Sequence, residues 1–90
     1  MAIRVLQIGL GPIGASIARQ IATRKGFTLV GGVDLDPAKA GRDVGDVVGL
    51  GRRMRLKVGV EPARALRALR PDVVVLATGS TLRSVVSQIE

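Results

Sequence analysis

Ile3-Arg4-Val5-Leu6-Gln7-Ile8-Gly9-Leu10-Gly11-Pro12-Ile13-Gly14 is the stretch whose reading decides the fold. Its first half, Ile3–Ile8, is a β-branched-rich run suited to a strand buried on both faces of a parallel sheet. Its second half spells G-x-G-x-x-G, and the pattern then changes to a helical period over residues 13–25. Gly14, Ile17, Ala18 and Ile21 fall at i, i+3, i+4 and i+7, with Ser16, Arg19, Gln20 and Arg24 on the other side. A glycine-rich turn between strand and helix has a physical use. Gly9 permits the tight turn, Gly11 omits the Cβ that would obstruct a pyrophosphate, and Gly14 lets helix and strand pack closely. Backbone N–H groups and the helix dipole then favour an anion. Pro12 gives up one donor and stiffens the turn. The plainer reading is a glycine-rich turn without a ligand; the strand before it, the helix after it and an acid downstream weigh against that.

Outward from this core, Gly26 ends the helix and residues 28–33 form a second strand that leads into Asp34, twenty residues after Gly14. A dinucleotide-binding sheet places there the carboxylate that accepts the adenosine ribose hydroxyls. Such a carboxylate repels a 2′-phosphate and so favours NAD over NADP, while Lys39 and Arg42 nearby in sequence soften the preference. Gly31-Gly32 would let adenine lie close to the backbone. The competing role for Asp34 or Asp36 is to cap a following helix, and Asp36-Pro37 is the better start for one, over residues 36–44.

Residues 46–55 read as a loop, whose Arg52, Arg53 and Arg55 suit solvent better than a cofactor phosphate. A short strand follows over 56–60. Glu61-Pro62 opens a helix with Leu66 and Leu69 inward and Arg64 and Arg67 outward. The valine run of residues 72–77 is the clearest strand. At its carboxyl end, where open α/β sheets bind ligands, stands Thr78-Gly79-Ser80-Thr81. Gly79 would admit a flat ring and the hydroxyls would bond the nicotinamide side of a cofactor. Equally, Ser80 or Thr81 would cap a last helix carrying Leu82, Val85, Val86 and Ile89. Gln7, a polar residue in an apolar strand, is expected to be satisfied by backbone groups rather than to serve a site.

Composition narrows the function. Ninety residues suffice for one domain. The chain has no Cys and no His, so thiolate and imidazole metal sites and Ser-His-Asp or Cys-His catalysis are excluded. The net charge of +7 is spread from Arg4 to Arg83, and Phe27 is the only aromatic residue. Nucleic-acid binding is therefore not expected, since single strands need stacking platforms. No stretch suits a membrane span and no leader pattern opens the chain, which points to the cytoplasm. Strands alternating with helices imply an α/β fold, a Rossmann-like parallel sheet of about four strands with flanking helices. A full sheet of this kind carries five or six strands, and the helical pattern is still running at Glu90. Residues 1–90 are thus expected to be an incomplete dinucleotide-binding domain.

The opening string, with Val33-Asp34-Leu35-Asp36-Pro37-Ala38-Lys39 and Asp72-Val73-Val74-Val75-Leu76-Ala77-Thr78-Gly79-Ser80, resembles the 2,4-diaminopentanoate dehydrogenase family. That family is similar in its N-terminal domain to dihydrodipicolinate reductase. The resemblance covers nearly the whole chain. It implies a two-domain oxidoreductase that moves a hydride between NAD or NADP and a carbon–nitrogen bond, with a small amine or imine as substrate. Gly9, Gly11, Pro12, Ile13 and Gly14 would be the pyrophosphate loop, Asp34 the ribose ligand, and Thr78, Gly79 and Ser80 the nicotinamide-side loop. The substrate domain, and any homo-oligomer it mediates, would lie outside these residues, so the resemblance assigns no catalytic residue here. Dihydrodipicolinate reductases tend to a Phe-Thr-x-Pro type sequence where this chain has Ala77-Thr78-Gly79-Ser80, which turns the reading away from lysine biosynthesis. That reductase and a non-catalytic nucleotide-binding module are the alternatives.

Overall fold

The computed structural model describes residues 2–78 and 81–86. Strand β1 (Ile3–Ile8) is central: β2 (Phe27–Val33) pairs with one side of it and β3 (Val73–Thr78) with the other, both parallel. A fourth strand, β4 (Thr81–Val86), runs antiparallel to β3, giving the order β2-β1-β3-β4. Parallel neighbours need crossovers long enough to hold a helix. Helix α1 (Pro12–Thr23) supplies the first, and α2 (Val44–Val48) and α3 (Pro62–Leu69) lie within the second.

Both faces of the sheet are covered, which is why β1 reads as almost wholly apolar. On one face Leu10, Ala15, Ala18 and Leu29 join Val44, Val48 and Val58 in a core built by α1, α2 and the chain beyond them. On the other, Leu6, Val33 and Val74 meet Ala65, Leu66 and Leu69 of α3. The expected orientation of α3 holds, with Arg64 and Arg67 exposed. At the opposite end of the sheet from Gly9, Arg4 and Asp72 tie β1 to β3: the Arg4 N–H donates to Asp72 Oδ2 at 2.9 Å.

Four expectations need correction. The helix expected over residues 36–44 does not form: residues 37–41 are a series of turns, because Asp36 Oδ1 accepts the Ala38 N–H at 2.9 Å and Gly41 turns left-handed at φ 77°. The helix starts later, at Val44, so Asp46 to Val48 belong to it and not to a loop; Gly49, left-handed at φ 73°, ends it. Residues 56–60 form no continuous strand. They make one parallel bridge, Val33↔Gly59, and one antiparallel bridge, Asp43↔Lys57.

The fourth correction concerns the last expected helix. Thr81–Val86 is a strand, and Thr81 begins it rather than capping a helix. Its register, Thr78↔Thr81 through Val73↔Val86, leaves two residues between the paired strands. Gly-Ser between β-branched runs is also a hairpin signal, and Thr81, Val85 and Val86 favour the extended form. Three apolar positions at helical spacing do not outweigh a ready-made partner strand. Ile89 lies outside the described residues, as do Gly79 and Ser80. The parallel part of the sheet therefore has three strands, within an α/β Rossmann-like arrangement.

Candidate functional site

Beyond the carboxyl ends of β1, β2 and β3 lies a cleft of about 550 Å³. The chain leaves β1 for β2 on one side and reaches β3 on the other, so this is the point where strand order reverses. Gly9, Gly11, Pro12, Ile13 and Gly14 form one wall; Val33, Asp34, Leu35, Asp36 and Lys39 form the facing one.

The glycine loop owes its shape to specific close approaches. Gly9 sits at φ 100°, a left-handed conformation that disfavours any side chain. A Cβ on Gly14 would collide with the carbonyl oxygen of Gly9. Gly11 is different: its backbone is extended at φ −71°, and a Cβ there would meet nothing within 4 Å among the described residues. Space at Gly11 is open toward the cleft, where the pyrophosphate reading needs it. Pro12 takes the first turn of α1, where its missing N–H costs no helical hydrogen bond. Among the described residues no side chain caps this end of the helix, which leaves the first-turn N–H groups of Ile13 and Gly14 for a ligand or water.

Gln7 braces the loop from beneath. It is fully buried, and its Nε2 donates to the carbonyl of Gly14 and, at 3.2 Å, to that of Gly9. The expectation of backbone satisfaction holds for its nitrogen. Its Oε1 is buried without a partner among the described residues.

Asp34 follows the last residue of β2 and faces the loop across the cleft. Its Oδ2 accepts the Leu10 N–H at 2.7 Å and its Oδ1 accepts the Asp36 N–H at 2.9 Å. Lys39 Nζ stands 3.5 Å from Oδ2. Burial pushes the Asp34 carboxyl up, but the N–H groups of Asp36 and Leu10, with Lys39, more than offset this and hold it below the usual value. The group is therefore a carboxylate at neutral pH. Oδ2 is engaged by Leu10 and Lys39, but Oδ1 has a second lone-pair site, so a hydroxyl donor can still be accepted there. The capping alternative is met only in part: Asp34 holds a turn at Asp36, and no helix follows there.

The structure does not bring together every expected residue. Gly31 and Gly32 are buried, faced by Leu69 and Leu6 and by Leu10 and Val44 respectively, and neither lines the cleft. They serve packing, not adenine. Arg42 is exposed and away from the cleft lining, so of the two nearby cations only Lys39 reaches Asp34. Thr78 ends β3 beside the cleft-lining Ala77, whereas Gly79 and Ser80 lie outside the described residues. Leu35, 78% exposed, and Pro62 add an apolar rim that sequence reading missed. A lone leucine between Asp34 and Asp36 was the available signal for the first. The second depended on where α3 docks.

Asp43, also missed, organises a separate region. Its carboxylate accepts the N–H groups of Met54 at 2.9 Å and Leu56 at 3.1 Å, which pins the loop after α2. These bonds, Met54 first, lower its pKa against the opposing effect of burial. Arg53, Arg55 and Lys57 alternate on the outer side of this segment around a second hollow of about 530 Å³. No group of His, Cys, Asp and Glu among the described residues could hold a metal ion, and no helix among them is long and apolar enough to cross a membrane.

No known family profile matches the chain. No curated protein matches it either. Among solved structures, the chain is similar to an amine dehydrogenase from Mycobacterium smegmatis, with a TM-score of 0.76 and 32% identity over 82% of this chain. It spans only 22% of that protein's length. It also shares its fold with UDP-D-quinovosamine 4-dehydrogenase from Vibrio fischeri, at a TM-score of 0.65 and 20% identity, covering 90% of this chain and 61% of that one.

Proposed function

We propose that the chain is the nicotinamide-dinucleotide-binding part of an oxidoreductase that acts on a carbon–nitrogen bond. The observation that carries this reading is the facing pair of walls: an open glycine loop at the start of α1 and an ionised Asp34 across the cleft. In this arrangement the pyrophosphate lies at Gly11 and the N–H groups of Ile13 and Gly14, where the helix dipole favours negative charge. Asp34 accepts the adenosine ribose hydroxyls. The nicotinamide then extends toward the end of β3, with Thr78, Gly79 and Ser80 as its neighbours. The similarity to an amine dehydrogenase supports the amine side of the sequence resemblance.

In the oxidative direction the amine carbon gives up a hydride to the nicotinamide ring and the nitrogen loses a proton, leaving an imine. Hydride transfer requires the two carbons in near-attack geometry. In this reading the chain contributes the cofactor's side of that geometry, and the substrate's side belongs to the rest of the enzyme. NAD is favoured over NADP by Asp34, with Lys39 reducing the margin.

Gly11→Val tests the placement. The extended backbone at Gly11 accepts valine, and the new Cβ meets no atom of the described residues within 4 Å. The variant should keep the wild-type circular dichroism spectrum and melting behaviour while losing NADH binding in calorimetry. Undiminished NADH affinity in the folded variant would remove the pyrophosphate from this loop.

A further inference from the structure

We propose that Lys39 is a positioning residue: with Asp34 it clamps both polar groups of Leu10 and so fixes the glycine loop in its ligand-receiving shape. The inference deepens the dinucleotide reading of the cleft and takes it as a premise. Leu10 lies between Gly9 and Gly11, and its side chain is buried in the α1-side core at 2% exposure. Its N–H donates to Asp34 Oδ2 at 2.7 Å, and its carbonyl accepts from Lys39 Nζ at 3.2 Å. The ring closes through the 3.5 Å contact between Lys39 Nζ and Asp34 Oδ2. Two opposite charges thus hold one residue's donor and acceptor while holding each other. The Asp36 N–H on Oδ1 keeps the carboxylate itself in place.

The glycines on either side of Leu10 explain why a clamp is needed. Glycine leaves the backbone free to take other conformations, which an anion-binding loop must avoid if its N–H groups are to stay aligned. The side chains of Lys39 and Asp34 are 26% and 15% exposed, so their contacts are sheltered from much of the solvent that weakens surface ion pairs. Hydrogen bonds with one charged partner are also the stronger kind. Lys39 has one competing role, as a direct ligand of the 2′-phosphate of NADP, because it too lines the cleft.

The two roles separate in one variant, Lys39→Met, which keeps the aliphatic stem and removes the ammonium. Amide hydrogen exchange is read at Leu10 without cofactor, with Leu6 in the parallel ladder as the internal standard. For a clamp, Leu10 should exchange faster by about tenfold or more, the scale of losing support for a charge-assisted hydrogen bond. NADH should lose affinity as well as NADPH, with the larger loss for NADPH because Lys39 also offsets the charge of Asp34, and Lys39→Arg should restore Leu10 protection. Leu10 exchange equal to wild type would overturn the proposal. So would a loss confined to NADPH with Leu10 unchanged, which makes Lys39 a phosphate ligand. The exchange reading requires no ligand. A wild-type protein that binds neither cofactor therefore counts against the function, while Leu10 still decides the clamp.

Discussion

In the proposed function Asp34 carries the cofactor preference, and its surroundings set how strong that preference is. A 2′-phosphate beside the carboxylate meets a like charge, worth about 1–4 kcal/mol at the effective dielectric of a protein surface. Lys39, 3.5 Å from Oδ2, offsets part of it. Asp34→Ser removes the repulsion and also the bond to the Leu10 N–H. Both cofactors should then bind more weakly, while the ratio of affinities moves toward NADPH by roughly tenfold, about 1.4 kcal/mol. Dissociation constants for NADH and NADPH at one fixed salt concentration, on wild type and variant, give that ratio. A ratio that stays put would leave Asp34 as a loop-holding residue alone. At this scale the sequence was informative: Gly9, Gly14 and Asp34 stand where their spacing implied. The partners of Asp34 were not legible, because the Leu10 contact joins residues 24 positions apart.

Among elements, the segments with a long periodic pattern and a clear terminator were legible, and those held by long-range partners were not. β1, α1, β2, α3 and β3 fall within a residue or two of their expected bounds. The short α2 escaped notice because five residues give no period to read, and its loop is fixed by Asp43 from a distance. β4 was misread because its apolar spacing fits a helix, whereas pairing with β3 decides the outcome.

The Asp43 staple also predicts an acid response. The folded pKa lies below the ordinary aspartate value of about 3.9. Its stabilisation is therefore complete above that value and is lost as pH falls through the lower folded pKa. Asp43→Asn should lower the urea midpoint at pH 7 and flatten its decline below about pH 4. An unchanged acid slope in the variant would mean that Asp43 contributes nothing to it.

For the molecule as a whole, charge and shape point to different surfaces, and only one of them is the cleft proposed to take a dinucleotide. Most of the chain's cations lie outside the cleft, with Arg53, Arg55 and Lys57 gathered at the hollow beside Asp43. A polyanion attracted by the net charge of +7 would be drawn to such exposed cations. A dinucleotide held by shape and aligned N–H groups would go to the cleft at the carboxyl ends of the sheet. Amide chemical-shift mapping of the protein during an NADH titration discriminates directly between them. The predicted result is saturable shifts centred on Gly9, Leu10, Gly11, Ile13 and Gly14 and on Asp34 to Asp36, persisting at physiological salt. Shifts confined to residues 53–57 and abolished by salt, or no shifts at all, would contradict the assignment of this cleft to a nicotinamide dinucleotide.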